Sequence, residues 1–365
     1  MKLTIDRVTL VKHLQKVIGP AGNKTNFPIL SHVLLEANDK QVNFTTTDLD
    51  TIITANCLET FKVEKEDRIV IPIKRFLSVI KELSYDEVSI EHKEGNLSIK
   101  CGKSKIKLRT AKLDDFPEIK REKKKDLIKI EPSILSEMIN LTSFCVGDND
   151  TNYVLSGILF ELSGNKITLV STDGKRLACV KKNLPDKINT EKESFILPLK
   201  AVNELQKILK EETEINISKS NNMIIFSSDS LEFSARTIEG EFPDYKQYLP
   251  KESEGKRLNI NAKDFLSGLR RANILSTSDY MAIKLSLNEK SITISKINAE
   301  IGEIDDTIQA YYKGEKLDVG FNPLYLIDVL GKLDDEYVNI DFYSSDKPAV
   351  LRKNDYEYLV LPMNV

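Results

Sequence analysis

Few side chains in this sequence have the type and spacing that chemistry demands. Asp48 and Asp173 are the best candidates for general acid–base work, because each ends a strand-like run, VNFTTTD and ITLVSTD, and a hydrolase using either is the enzymatic reading to weigh. The rest of such a site is missing. The histidines, His13, His32 and His92, all lie in the first third of the chain. No G-x-S-x-G, H-E-x-x-H, P-loop or dinucleotide-binding glycine pattern occurs. Cys57, Cys101, Cys145 and Cys179 form no C-x-x-C pair and have no histidine at metal-ligand spacing, so they read as reduced, buried thiols, and neither metal nor cofactor is expected. Asp48, Asp173 and Asn298 follow one another at intervals of 125 residues, and the third copy carries an amide. That substitution suits a recurrent turn residue better than a catalytic acid.

A second chemistry is phosphate binding. Lys12 and Lys16, then Lys74, Arg75 and Lys81, then Lys200, Lys207 and Lys210, then Lys263, Arg270 and Arg271 recur on the polar faces of predicted helices. Taken singly, each is an ordinary solvated residue. With 53 Lys+Arg against 56 Asp+Glu and a net charge of -3, polyanion binding has to come from local segregation of charge.

These residues need elements to hold them. A chain of 365 residues with 41% hydrophobic and 30% charged residues implies a soluble protein with two or three cores. No apolar run reaches the roughly 18 residues of a membrane span, and the opening MKLTIDRVTL carries Asp6 and Arg7, so a cytosolic protein is expected. Three amphipathic helices are predicted from Asp6, Glu131 and Asn261, and a second set starts at Pro72, Pro198 and Asn322. Alternating segments after each second helix read as hairpins turning at Gly-Asn, Asn-Asn and Asp-Lys-Pro. The chain is therefore a threefold repeat of class α+β, with helices on one side of antiparallel sheets and domains at 1–121, 122–252 and 253–365.

The tandem copies, the runs TTTDLD and STDGKRLACV, the corners at Phe116-Pro117 and Phe242-Pro243, and the terminal YLVLPMNV closely resemble the bacterial DNA sliding clamp family, the beta subunit of DNA polymerase III, from Met1 to Val365. The resemblance implies a six-domain ring made by a head-to-tail homodimer around double-stranded DNA, with two helices per domain inside and the sheets outside. Twelve helices spaced by about 10 Å would leave an opening of about 25 to 30 Å, suited to sliding over any sequence. The implied protein is not an enzyme. It is a processivity factor whose partners are non-specific DNA, the clamp loader, the replicative polymerase alpha subunit and other clamp-motif proteins.

Carried over residue by residue, the resemblance places DNA contacts at Lys24, Lys74, Arg75, Asn149, Tyr153 and Lys200. It places a partner-peptide cleft at Leu155, Thr172, Gly174, Lys175, Arg176, Leu177, Pro243, Gln247, Val360, Pro362 and Met363, with Leu177 read as an apolar residue near an exposed turn. Lys175, Gln247 and Tyr248 depart from residues frequent in relatives. The dimer seam is expected at Lys74, Lys103, Lys105, Ile106 and Leu108 against Ile274, Leu275, Glu300 and Glu303; apolar centres with opposite charge on the two ends suit a contact that closes after two subunits. Two alternatives stand beside the seam: an edge strand merely guarded by lysines, and a monomeric three-repeat scaffold that binds proteins without encircling DNA.

Overall fold

The computed structural model describes residues 1–21, 26–119, 123–147, 152–185, 192–277 and 280–364. Among the described residues six α-helices follow one another, two to each repeat: α1 (Arg7–Ala21), α2 (Ile73–Lys81), α3 (Pro132–Thr142), α4 (Leu199–Ile208), α5 (Ala262–Asn273) and α6 (Pro323–Leu330). Their starts follow from local chemistry. The Asp6 carboxylate accepts from the Thr9 amide at 2.7 Å, Asn261 accepts from Lys263 and Asp264 at 3.0 and 3.1 Å, and Asn322 accepts from Leu324 at 3.0 Å. Leu10, Leu14 and Val17 form the buried stripe of α1, and Ile73, Phe76, Leu77 and Ile80 that of α2. Gly268 lets α5 approach its sheet, since a Cβ there would stand 2.7 Å from Ile308 and 2.8 Å from Ile294. Among the described residues no helix is long and apolar enough to cross a membrane.

Among the described residues every strand pairing is antiparallel, and the strands form sheets of five, eight and twelve. The chain has two compact units, Met1–Leu135 with Asn203–Thr237, and Ser136–Val202 with Ile238–Val365. The first holds the five- and eight-stranded sheets and the second the twelve-stranded sheet. Repeat and sheet boundaries therefore differ. The middle repeat gives Lys125–Ile130, Ile215–Ser220, Met223–Ser227 and Leu231–Arg236 to the eight-stranded sheet; its strands from Gly157 to Pro198 join those of the third repeat. Pairing of Leu231–Arg236 with Thr51–Cys57 makes the first of these sheets continuous.

The predicted hairpins form with one shift. The first turns at Glu94-Gly95, both at positive φ, with Lys93 opposite Asn96, so Asn96 begins a strand. Asn221-Asn222 makes the second as expected. All four cysteines are buried and free, and burial pushes the Cys179 thiol up to about 12.

Candidate functional site

The residues expected to form the cleft lie in the second unit. Strand Lys166–Thr172 turns through Asp173, Gly174 and Lys175 into Arg176–Asn183, which pairs on its other side with Tyr356–Val360. The turn is tied by its own side chains: Asp173 Oδ1 accepts from the Lys175 and Arg176 amides at 2.9 and 3.0 Å, and the Thr172 hydroxyl donates to the Arg176 carbonyl at 2.6 Å. Gly174 supplies the positive φ of 84°.

Arg176 then reaches away from solvent. Its Nε donates to Asp173 Oδ2 at 2.9 Å, its two terminal nitrogens donate to Asp328 at 2.6 Å and to the Phe144 carbonyl at 2.9 Å, and the guanidinium lies 4.5 Å from the Tyr325 ring centre. Burial alone would push its pKa down; the bond to Asp328, with Tyr358, Cys145 and Asp173 around it, raises it instead. Arg176 is thus a charged anchor that joins the turn to α6, and not a free recognition group.

Leu177 and Val360 require a correction. Leu177 is 4% exposed and Val360 1%, because strand pairing puts Leu177 opposite Leu359 and Arg176 opposite Val360 inside the sheet. Leu177 belongs to a buried cluster with Val170, Tyr245, Val350 and Leu359, and half-buried Leu155, Phe242 and Leu249 pack over it. Both residues are buried, and among the residues around the turn and the tail Leu155 and Phe242 are half-buried and Leu361 and Met363 exposed. The tail that brings Met363 there is fixed at two points: the Leu361 amide donates to the Lys175 carbonyl at 2.9 Å, and the Met363 amide to the Gly320 carbonyl at 2.8 Å. Pro362 is half-buried, while Lys175, Pro243 and Gln247 are exposed. The Tyr245 hydroxyl donates to Glu161 at 2.7 Å and secures the short turn that carries Gln247 and Tyr248.

Lys12, Arg75, Lys81, Lys210, Lys263 and Arg270 are exposed, as are Lys74 and Lys200. Lys16, Lys207 and Arg271 each bond a carboxylate: Lys16 bonds Glu212 at 2.8 Å, Lys207 bonds Glu204 at 2.8 Å, and Arg271 bonds Asp306. Tyr153 is exposed and stands against Gly240 beside Val154 of the cleft cluster. Lys24 and Asn149 lie outside the described residues.

Two sheet edges complete the picture. Ser104–Arg109 is the last strand of the five-stranded sheet, with Lys105, Lys107 and Arg109 exposed and Ile106 and Leu108 half-buried; Lys103 precedes it, exposed. In the other unit, Gly302–Tyr312 pairs with Ser291–Asn298 along its length but with Lys256–Asn261 only from Ala310 onward, so among the described residues 303–309 have one open side. Its outward residues are Glu303, Asp305 and Thr307. Glu300 is exposed nearby, Ile274 is 74% exposed and Leu275 is half-buried.

Sequence reading missed Asp328 and Tyr325, the partners of Arg176, and the exposed Ile297 and Ile301. A signal existed for the first: Asp328 is the single charged residue in PLYLIDVL of α6. Among the described residues no group of three or more His, Cys, Asp or Glu is arranged to hold a metal ion. The carboxylates of Asp48 and Asp173 are occupied by the amides and side chains of their own turns.

Residues 1–120, 129–244 and 246–364 match in turn the N-terminal, central and C-terminal domain families of the DNA polymerase III beta subunit. The beta sliding clamp of Pseudomonas putida is 32% identical over 371 residues, and that of Haemophilus influenzae 30% over 372, each alignment covering 100% of both chains. The crystal structure of the DNA polymerase III subunit beta from Pseudomonas aeruginosa, 30% identical, matches with a TM-score of 0.95 over 100% of both chains. With three clamp domains in order over its whole length, the chain belongs to the DNA polymerase III beta subunit family, the bacterial beta sliding clamps, which are processivity factors and not catalytic enzymes.

Proposed function

We propose that two copies of this chain close head to tail into a six-domain ring around duplex DNA, with clamp domains at 1–121, 122–252 and 253–365, and that the ring tethers the polymerase alpha subunit and other proteins bearing a clamp-binding motif. The complementary sheet edges carry this reading. If Ser104–Arg109 of one copy pairs antiparallel with 303–309 of another in the register that sets odd-numbered residues opposite odd-numbered ones, Lys105, Lys107 and Arg109 share a face with Glu303, Asp305 and Thr307, and Ile106 and Leu108 share the opposite face with Ile304, Asp306 and Ile308. An edge left open would invite uncontrolled pairing, and like charges would block the wrong partner. Contacts at different ends of the chain are heterologous, and two such contacts close a ring.

The exposed cations Lys12, Arg75, Lys81 and Lys200, with Lys74, supply weak, sequence-independent phosphate contacts, while the ring supplies the retention. The cleft over Leu177 receives short apolar peptide anchors from the polymerase and the clamp loader in turn, so these partners compete for it. The work is done in the cytosol.

Sedimentation tests the assembly. The protein is expected to run as a dimer, and Ile274→Ala with Leu275→Ala to weaken it by roughly 30-fold or more, corresponding to about 2 kcal/mol of lost contact. A double variant that sediments as the parent does would move the seam elsewhere. Deleting 361–365 is expected to abolish binding of clamp-motif peptides by fluorescence polarisation and to leave the dimer intact; unchanged peptide affinity would remove the cleft assignment.

A further inference from the structure

Residues 249–255 lead from the short turn carrying Gln247 and Tyr248 into strand Lys256–Asn261, and side chains of the third repeat grip them. Asp341 is the centre of that grip. It lies on strand Tyr337–Phe342, 1% exposed, between two arginines of the neighbouring strands. Arg257, directly opposite, bonds it at two points, Nε to Oδ1 at 2.9 Å and Nη2 to Oδ2 at 3.1 Å, and Arg352 Nη1 donates to Oδ2 at 2.7 Å. Each cation also reaches the segment. Arg257 Nη2 donates to Glu252 at 2.6 Å, and Arg352 Nη2 donates to the Pro250 carbonyl at 2.7 Å. The Tyr343 hydroxyl completes the node, accepting from Arg352 at 3.0 Å and donating to the Lys251 carbonyl at 3.2 Å. At Gly255 a Cβ would stand 2.7 Å from the Asp341 Cβ, so the segment closes onto the node with no room for a side chain.

Packing alone does not fix this backbone. A cavity of about 560 Å³ lies against Leu249 and Pro250, lined further by Arg257, Leu351 and Arg352, so the segment has space to move into. Apolar residues of like volume often stabilise a fold as well as a buried network of charges does. What the network supplies is geometry: a guanidinium holds its donors in a fixed plane, and here one fork spans Asp341 and Pro250. The residues so held have apolar parts that face elsewhere. Leu249 and Tyr343, both half-buried, pack against the cluster that contains Leu177, Tyr245 and Leu359, the base of the cleft proposed above.

We propose that Arg352 is a positioning residue for partner binding: by tying Pro250 and Tyr343 to Asp341 it sets Leu249 and the Tyr343 ring as a preformed wall against which an apolar side chain of a clamp-motif peptide closes. The inference rests on the cleft reading and adds to it a wall and the residue that aims it. A wall fixed in advance matters because ordering a segment on association consumes affinity. Anchor side chains, in turn, bind most strongly in well-packed pockets.

Arg352→Lys and Arg352→Met in the full chain separate positioning from stability. Lysine keeps a charge for Asp341 and lacks the fork. Arg352→Lys is therefore expected to recover most of the thermal stability that Arg352→Met loses and none of the peptide affinity. By fluorescence polarisation with a labelled clamp-motif peptide, the dissociation constant should rise roughly 10-fold in both variants, with faster amide exchange in 249–255 and an unchanged dimer mass. A merely structural arginine predicts instead that stability and affinity return together in Arg352→Lys. Tyr343→Phe keeps the ring on the cluster and removes only the hydroxyl; its peptide affinity is expected to fall roughly 3-fold, and it decides the matter if the arginine variants do not fold. Parent-like affinity in Arg352→Lys, or in Tyr343→Phe where neither arginine variant folds, overturns the proposal while leaving the cleft in place. A parent protein that binds no peptide, or binds it equally well after deletion of 361–365, overturns the cleft reading itself.

Discussion

The turns at residues 47–51 and 172–176 share a backbone and differ in how far their side chains reach. In the first, Asp48 Oδ1 accepts from the Thr51 amide at 2.7 Å, and the Thr47 hydroxyl donates to the Thr51 carbonyl at 2.8 Å. In the second, Asp173 Oδ1 and the Thr172 hydroxyl make the same bonds to Arg176. The middle residue has positive φ in both, 80° at Leu49 and 84° at Gly174. The last position separates them. Thr51 returns its hydroxyl to Asp48 at 2.8 Å and ends there, whereas Arg176 crosses to Asp328 and Phe144. The repeat supplies a scaffold in both units, and one side chain ties the second copy to α6, beneath the cleft proposed above.

The largest effect should come from breaking that difference. Arg176→Ala leaves Asp173 and Asp328 without their cation and is expected to cost about 3 kcal/mol, because losing one member of a partly buried pair strands the other. Thr51→Ala removes one side-chain bond and should cost about 1 kcal/mol. Urea denaturation of the two variants checks the ratio; equal losses would mean that Arg176 adds nothing beyond the turn.

Exchanging the middle residues probes what the turns share. Leu49→Gly should stabilise by about 1 kcal/mol and Gly174→Ala should destabilise by about as much, since a Cβ is strained at positive φ. Thermal melts showing the same sign for both changes would contradict a common backbone.

The distinction between a side chain that completes the fold and one left for a partner also separates Lys16 from Lys12. Burial would raise the Glu212 carboxyl, but Lys16, Ser228 and Ser230 hold it below its ordinary value of 4.5. The folded pKa is the lower one, so this contribution is present above the ordinary carboxylate range and is lost as pH falls through the folded value. The stability gap between the parent and Lys16→Ala, about 1 kcal/mol or less near neutrality, should close as pH falls from the ordinary carboxylate range through the lower folded value of Glu212. In DNA binding by the unloaded protein, Lys12→Ala should reduce the salt slope by about 1 and Lys16→Ala should leave it unchanged. The reverse result would exchange their roles.

Much of this was readable before the fold. The interval linking Asp48, Asp173 and Asn298, the helix starts at Asp6 and Asn261, and the paired helices all rest on local chemistry that recurs with the repeat. What was not readable depends on which strand meets which. Leu177 looked exposed because its turn is, and only its pairing opposite Leu359 buries it. Lys16 looked free because Glu212 lies 196 residues further along the chain. In SITISKIN the faces alternate with Lys296 on the inner one, and no rule of periodicity places a lysine there without knowing that two carbonyls wait for it.

Retention on DNA tests the central claim most directly. The protein is loaded by a bacterial clamp loader onto a nicked circular duplex, isolated by gel filtration, and followed after a single restriction cut. A clamp held by topology stays with the closed circle through moderate salt and is lost within minutes of linearisation, and blocking both ends with bound protein restores it. Equal retention on circular and linear DNA with free ends, or loss from both at the same salt concentration, would show that contact and not encirclement holds the protein on DNA.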